Sequence, residues 1–428
     1  MDFIRAFFGL AFLLGIAWIF SADRRAINWK LIAGGLLLQI TFGVLITQVE
    51  FVNSGFQIAS KFFVKVIDFT NEGTKFLFDG LLTTDKFGFI FALKVLPTII
   101  FFSTLSTGLY YLGILQKIVY GFAWLMSKTM KLSGAESLSA AGNIFLGQTE
   151  APLLVRPFIP EMTRSELMCL MTGGMATIAG GVLAGYVAFL GGNDPVEQTK
   201  YATFLLSASV MNAPAAIVVA KLLMPETHYD RLNHKLEINQ EKTGVNLVDA
   251  FARGATDGLK LALNVGAMLL AFIAIIAAVN FILKDLIGDL TGLNQVINTA
   301  TGGAFDGLSL QYVLGNLFRV FAFAMGVEWQ DTLHVGSLLG QKTVINEFVA
   351  YIDLAAMKSQ GILADKSIII ATFSLCGFAN FSSIAIQIGG IGGMAPMRQG
   401  DISRLGFRAL LGGSLATMIT GTLAGALL

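Results

Sequence analysis

The sequence is poor in charge. Charged residues make up only 13% of the 428 residues, while hydrophobic residues make up 55% and the mean hydropathy is +0.71. Soluble domains carry roughly 25% charged residues, so this scarcity excludes a soluble globular protein and indicates a polytopic membrane protein. The few charges nearly cancel, with 29 Lys and Arg against 28 Asp and Glu. This balance removes the electrostatic case for a nucleic-acid partner.

Cysteine and histidine are equally scarce. Cys169 and Cys376 are the only two cysteines, and because both fall inside apolar segments they indicate neither a disulfide framework nor a metal site. The three histidines lie away from any candidate serine, and no apolar segment carries a pair of aspartates. A hydrolase within the membrane needs such a set of groups, so we expect that the protein is not an enzyme.

Long apolar runs fill most of the chain. Runs of roughly 18 to 25 residues are long enough to cross a bilayer core of about 30 Å. They predict eight spans, near residues 3–20, 31–49, 88–114, 166–190, 200–223, 258–283, 367–390 and 404–428. The first loop, SADRRAINWK, is positively charged and is expected in the cytoplasm. Both termini are then expected outside, with the protein in the plasma membrane (the inner membrane of a bacterium).

Three segments fit no span. Residues 53–80 alternate charged and aromatic residues at helical spacing, which is typical of an amphipathic helix at the membrane interface. Residues 134–160 and 329–356 each have a polar tip between two short apolar arms. Each pair of arms is too short for two crossings, so the pattern predicts two re-entrant hairpins. We call them hairpin 1 (134–160) and hairpin 2 (329–356).

Each predicted hairpin precedes a span that has a polar interruption. The order of hairpin, interrupted span and span occurs twice, about 200 residues apart, and an odd number of crossings separates the copies. This predicts an inverted repeat, which in transporters places a substrate site near the middle of the membrane. The expected fold is therefore all-α. Its parts are an N-terminal scaffold at 1–87, a first repeat at 88–225 and a second repeat at 250–428.

Polar residues at the hairpin tips and interruptions are the candidate site. Three residues, Gln148, Thr149 and Glu150, approach it from one side. Four approach it from the other: Asn346, Glu347, Asn380 and Ser383. Polar groups in spans often serve only to hold helices together. The two glutamates are stronger candidates, because ionisable groups at membrane depth are costly and usually functional.

Four segments carry a resemblance to a known family. GQTEAPLLVRPFIPEMTRSEL, NVGAMLLAFIA, KTVINEFVAY and CGFANFSSIAIQIGGIGG resemble the signature segments of the concentrative nucleoside transporters, from about residue 88 onward. The resemblance implies a homotrimer in membrane lipid that takes up nucleosides together with Na⁺ or H⁺. The additional N-terminal helices of animal members are absent here, as in bacterial members.

The resemblance also implies roles for individual residues. It assigns the nucleobase to Gln148, Thr149, Glu150 and Val182. It assigns the ribose to Glu347, Phe378, Asn380 and Ser383. It assigns the coupling Na⁺ to oxygens of Asn143, Leu146, Thr177 and Ile178, with threonine at 177 where some members have serine.

These assignments predict a secondary active symporter that works by alternating access. A channel is disfavoured because the polar residues cluster at one depth instead of forming a continuous polar lining. The alternative that stays open is an H⁺-coupled carrier of nucleosides or nucleobases. Saturation of the flux distinguishes a carrier from a channel, and competition by uridine distinguishes among solutes.

Overall fold

The computed structural model describes residues 2–82, 90–192, 194–237 and 244–428. Within these ranges the regular structure is helical and no strand occurs, as the predicted all-α class requires. The principal helices are α1 (Asp2–Ile19), α2 (Trp29–Gln48), α3 (Glu50–Phe78), α4 (Leu96–Tyr111), α5 (Ile114–Met130), α6 (Gly134–Gly142), α7 (Arg164–Ala176), α8 (Gly180–Gly191), α9 (Pro195–Leu223), α10 (Leu247–Asn280), α11 (Leu293–Ala300), α12 (Leu310–Ala324), α13 (Thr332–Val344), α14 (Glu347–Ser359), α15 (Asp365–Leu375), α16 (Phe381–Met394) and α17 (Gln399–Leu427).

Each predicted span overlaps a helix or a pair of helices, and the ends differ most at the predicted span 258–283, where the helix begins at Leu247. Seven helical stretches of the described chain are long and apolar enough to cross a membrane. The predicted span at 367–390 is divided between α15 and α16, each too short to cross alone, so the count of eight stays a prediction. Parts of two predictions lie outside the described residues. They are residues 88 and 89 of the predicted span at 88–114 and the domain boundary at 87/88.

Two parts of the helical structure were not expected. The amphipathic helix α5 was not predicted. Helix α10 begins before the predicted span at 258–283 and continues through a π-helical segment, Phe281–Gly288, to Thr291. Its early start follows from a side-chain cap, since the Asn246 side chain accepts a hydrogen bond of 2.9 Å from the Asp249 backbone N–H. Asn is among the preferred residues at a helix N-cap.

The helices divide into an inner and an outer set. In the stretch from α7 to α8, 89% of the 18 most apolar consecutive residues are buried. The buried share of the corresponding residues is 83% in α9 and in the stretch that ends with α17. In α1 the share is 22%, and in the stretch that begins with α10 it is 17%. The outer helices expose apolar side chains on the single chain, as expected of surfaces that lipid or another copy covers. Helix α3 packs one face, with Ser60, Val64 and Ile67 buried, against α9.

Candidate functional site

Hairpin 1 begins with a short helix that stops abruptly. A capping box starts α6, in which Ser133 and Glu136 each accept a backbone hydrogen bond from the other. After Gly142 the chain leaves the α-helix and returns as a 3₁₀ helix, Ala151–Phe158, that packs against α6. Pro152 and Pro157 lack a backbone N–H, which prevents a regular α-helix there. The prolines thus account for the 3₁₀ form of the second arm, and the irregular tip at 143–150 precedes it.

Hairpin 2 turns more sharply. Helix α13 ends at Val344, and α14 begins at Glu347 after only two residues. The Asn346 side chain caps α14 by accepting a hydrogen bond of 3.0 Å from the Val349 N–H. This places the Glu347 carboxyl group in the first turn of α14, where the positive end of the helix dipole favours negative charge.

Both interrupted spans are broken as the sequence predicts. We call residues 177–179, between α7 and α8, break 1, and residues 376–380, between α15 and α16, break 2. The two breaks touch, because the Phe378 N–H donates to the Thr177 carbonyl at 3.3 Å. Asn212 of α9 donates to the Cys376 carbonyl at 2.8 Å. Protein groups thus satisfy broken backbone that the interior of a membrane would leave unpaired.

One cavity of about 510 Å³ lies between the hairpin tips and the breaks. It is lined by all eight residues that the sequence assigned to the substrate: Gln148, Thr149, Glu150, Val182, Glu347, Phe378, Asn380 and Ser383. Cavities of roughly 300–1,000 Å³ with a few polar groups are typical of small-molecule sites. The structure brings these residues together from both halves of the chain, while the role of each stays a prediction.

Helix α10 forms one wall of the cavity, which was not predicted from the sequence. Asp257, Lys260 and Asn264 line the cavity together with apolar residues of the same helix. Asp257 and Lys260 are both exposed, and the Lys260 Nζ lies 3.8 Å from the Asp257 Oδ1. Their spacing of three and four residues places them on one helix face, and this periodicity was the available signal. The sequence analysis assigned no site residue to this helix.

On the hairpin 2 side, Glu347 is held by two donors. The Tyr186 hydroxyl donates to Oε1 at 2.9 Å and the Asn380 amide donates to Oε2 at 3.0 Å. Asn380 is fixed in turn, because its Oδ1 accepts from the Ser383 N–H at 2.9 Å and from the Ser382 hydroxyl at 2.7 Å. A carboxylate has about four acceptor positions, so Glu347 retains capacity for hydroxyl donors from a ligand.

On the hairpin 1 side, Gln148 bridges to the opposite half. Its Nε2 donates to the Ser383 hydroxyl at 3.0 Å, and its Oε1 accepts from Gln387 at 3.2 Å. Gln387 is fully buried and also donates to the Met171 carbonyl at 3.0 Å. Gln387 was not predicted from the sequence, although it lies one helical turn beyond Ser383. Glu150 accepts from the Gly147 N–H of its own tip at 2.9 Å, and Thr149 is exposed to the cavity.

The four residues assigned to sodium are buried around break 1 and the tip of hairpin 1. Asn143, Leu146, Thr177 and Ile178 are each at most 6% exposed. The Gly180 N–H donates to the Phe145 carbonyl at 3.3 Å, which ties the tip to the break. The Thr177 hydroxyl donates to the Gly173 carbonyl at 2.9 Å. Neither polar atom of the Asn143 side chain has a hydrogen-bond partner within the described structure.

The unpaired Asn143 side chain is an unusual feature, because buried polar groups are nearly always hydrogen-bonded. An amide oxygen, a hydroxyl oxygen and the carbonyls of an irregular tip are the hard oxygen ligands that an alkali cation accepts. The residues present therefore fit a small monovalent cation. The fold has inner broken helices and two helical hairpins whose tips line one polar cavity. This arrangement is that of a membrane transport protein.

Comparison with known families identifies the group of transporters. Three family profiles match this chain: the Na⁺ dependent nucleoside transporter N-terminus over residues 8–81, nucleoside recognition over 92–193, and the Na⁺ dependent nucleoside transporter C-terminus over 204–425. The chain belongs to the concentrative nucleoside transporter family, whose members are transporters and not enzymes. The family match begins at residue 8, whereas the resemblance of the signature segments begins at about residue 88.

Relatives span the whole chain. An uncharacterized transporter of Haemophilus influenzae is 42% identical, over 99% of this chain and 98% of that protein. Mouse sodium/nucleoside cotransporter 1 is 38% identical, and the match covers 99% of this chain but 63% of the cotransporter. Among solved structures, CNTnw in an inward-facing substrate-bound state is 41% identical, with a TM-score of 0.89 over 100% of this chain and 98% of that one. A doubly substituted CNTnw in an outward-facing state gives a TM-score of 0.90, also at 41% identity and with the same coverage of both chains.

Proposed function

We propose that this protein is a secondary active symporter that takes up nucleosides, driven by the sodium gradient. The observation that carries the proposal is the single cavity lined from both halves of the chain by the eight residues assigned to base and ribose. An amide and a hydroxyl match the donors and acceptors on the edge of a nucleobase. A carboxylate with spare acceptor positions matches the hydroxyls of a sugar.

Sodium is the coupling ion that the structure favours. The unpartnered Asn143 side chain lies against Gly173, whose carbonyl accepts from the Thr177 hydroxyl of break 1. The amide and hydroxyl oxygens of these side chains are neutral ligands suited to Na⁺. Proton coupling would instead require an acid such as Glu150 to carry the proton. The alternative is an H⁺-coupled carrier of nucleosides or nucleobases, in which Glu150 would carry the proton.

Alternating access is proposed as the mechanism. In transporters with inverted repeats a compact part moves against a fixed part around a central site. Here the moving part comprises the hairpins and the broken helices, while α3, α4 and α10 form the frame. Relatives named CNTnw have been solved in inward-facing, outward-facing and intermediate states, which supports motion of this kind in the family. We further propose a homotrimer in the plasma membrane with both termini outside.

Uptake of labelled uridine into proteoliposomes tests the proposal. A Na⁺ gradient and a proton gradient are imposed in turn, and the uptake that each drives is compared. We expect saturable uptake that requires Na⁺ in the absence of a proton gradient. Uptake that follows the proton gradient and ignores Na⁺ would reject the sodium site, and transport of uracil in preference to uridine would favour the nucleobase alternative.

A second experiment tests the motion. A cysteine in place of Thr149, exposed in the cavity, is labelled from each side of the membrane, and the native Cys169 and Cys376 are buried and give a low background. Labelling should shift from one face to the other as uridine and Na⁺ are added. Equal labelling from both faces in every condition would contradict alternating access.

A further inference from the structure

A lysine is buried beside break 2. Lys342 lies in the last turn of α13 and is 2% exposed. Its Nζ donates to the Ser374 carbonyl at 2.8 Å and to the Thr417 hydroxyl of α17 at 2.8 Å. Among the described residues no carboxylate forms a salt bridge with it. A buried lysine without an ion pair is rare, and neither the base nor the ribose assignment uses it.

The end of α15 explains why a cation is stable in this position. The last four carbonyls of a helix lack partners within the helix, and they form the negative end of its dipole. Ser374 is the second-to-last residue of α15, so its carbonyl points beyond a helix end that is buried inside the protein. Without a cation or donor here, that carbonyl would lose its hydrogen bond.

Break 1 has a related arrangement without a charge. Asn143 ends the first arm of hairpin 1, as Lys342 lies near the end of the first arm of hairpin 2. Each is buried against the last turn of a broken helix, Asn143 at Gly173 of α7 and Lys342 at the Ser374 carbonyl of α15. The Asn143 side chain is unpartnered, whereas the Lys342 ammonium is hydrogen-bonded to both neighbouring oxygens.

We propose that the Lys342 ammonium is a resident cation that occupies, beside break 2, the position equivalent to that of the exchangeable Na⁺ beside break 1. The protein therefore carries one exchangeable Na⁺ per nucleoside, because its second cation position is permanently filled by a side chain. The inference rests on the proposed sodium site for the comparison. The claim that a cation position exists at break 2 rests only on the Lys342 contacts.

Chemical rescue tests whether the position holds a cation. Lys342→Ala opens the space, and it is combined with Asn143→Ala so that the first site is silent. The Tm of the purified double variant should rise by about 2–4 °C when methylammonium or Na⁺ replaces N-methylglucamine at equal ionic strength. Asn143→Ala alone should show no such rise. Adding Thr417→Val should weaken the rescue, while Thr422→Val, a buried change elsewhere on α17, should not.

Charge is tested separately by Lys342→Arg and Lys342→Met, which keep the length of the side chain but differ in charge. The Arg variant should retain most transport and the Met variant should lose it. A folded Ala variant that no cation stabilises, or a Met variant as active as the Arg variant, overturns the proposal. If none of the variants folds, the ratio of labelled Na⁺ to labelled uridine taken up by the native protein decides. One Na⁺ per uridine is expected, and two would overturn the inference.

Failure of the proposed function gives a different result. If native uptake ignores Na⁺, the sodium assignment at break 1 is wrong. Rescue of the Lys342→Ala variant by methylammonium does not depend on that assignment and still decides whether break 2 contains a cation position.

Discussion

The two sides of the cavity hold their polar groups in different ways. On the hairpin 2 side, Glu347 and Asn380 are locked by hydrogen bonds to Tyr186 and to one another. On the hairpin 1 side, Gln148 is also hydrogen-bonded, but Thr149 is exposed, and Asn143, behind the tip, has no partner. A preorganised group is already in position when its ligand arrives, whereas unpaired groups gain their partners from it. We propose that the hairpin 2 side selects the sugar, and that Asn143 and Thr149 on the hairpin 1 side become ordered when ion and base bind.

The largest expected effect concerns the locked side. A free nucleobase leaves Glu347, Asn380 and Ser383 without hydroxyl partners, and sites built to hydrogen-bond a hydroxyl discriminate by as much as ~10⁴ against analogues that lack it. Uridine should therefore compete strongly with labelled uridine, and uracil hardly at all. The measurement is the concentration of each compound that halves uptake. Uracil within about threefold of uridine would reject the ribose assignment.

The next effect comes from Glu347→Gln. Both present partners of the carboxylate are donors, so the amide NH₂ of glutamine must face one of them. Asn380 has no alternative orientation, because its Oδ1 is already engaged by Ser383. Loss of a charged, buried hydrogen bond costs about 1.5–3 kcal/mol, which is roughly a 10- to 100-fold loss in uptake rate at low uridine.

Glu347→Asp serves as the test of geometry in the same assay. It keeps the charge but shortens the side chain, so a little transport should remain. Glu161→Gln, at an exposed position, is the matched control and should leave uptake unchanged. Normal transport by the Glu347→Gln variant would show that this carboxylate does not recognise the sugar.

A smaller effect is expected on the hairpin 1 side, where the Asn143 side chain is unpaired. Asn143→Ala removes one proposed ligand of the sodium ion, so the Na⁺ concentration for half-maximal uptake should rise about tenfold, equivalent to about 1.4 kcal/mol. Uridine competition at saturating Na⁺ should change little. Asn316→Ala, which removes an exposed amide, is the control. An unchanged Na⁺ dependence in the Asn143→Ala variant would place the ion elsewhere.

The smallest expected effect is a difference in KM between variants of two stacked tyrosines. Tyr186 and Tyr351 are both fully buried, with ring centroids 4.3 Å apart. Only Tyr186 donates to Glu347, whereas Tyr351 donates to the Thr372 carbonyl at 2.7 Å. Tyr186→Phe should raise the KM for uridine about 3- to 10-fold, since one hydrogen bond is worth about 1 kcal/mol. Tyr351→Phe should lower the Tm and leave KM unchanged; equal KM values for the two variants would contradict a positioning role for Tyr186.

Much of the architecture is readable from the sequence because local chemistry determines it. The apolar runs and the polar interruptions predict two interrupted spans, and the structure confirms both, with breaks at residues 177–179 and 376–380. Helix α5 and the length of α10 were not predictable from apolar runs. Both are amphipathic beyond their apolar stretches, and caps and packing define their ends.

The sequence by itself determined the membrane class, the family and the polar residues at the two tips, because composition and motif are properties of the chain in one dimension. Only the tertiary structure decided that the two breaks touch at Thr177 and Phe378, that α10 forms a wall of the cavity, and that Gln387 supports Gln148. It also decided that Lys342 ends at the carbonyl of Ser374. Such contacts join residues far apart in the chain, and no local pattern specifies which helix end lies opposite which side chain.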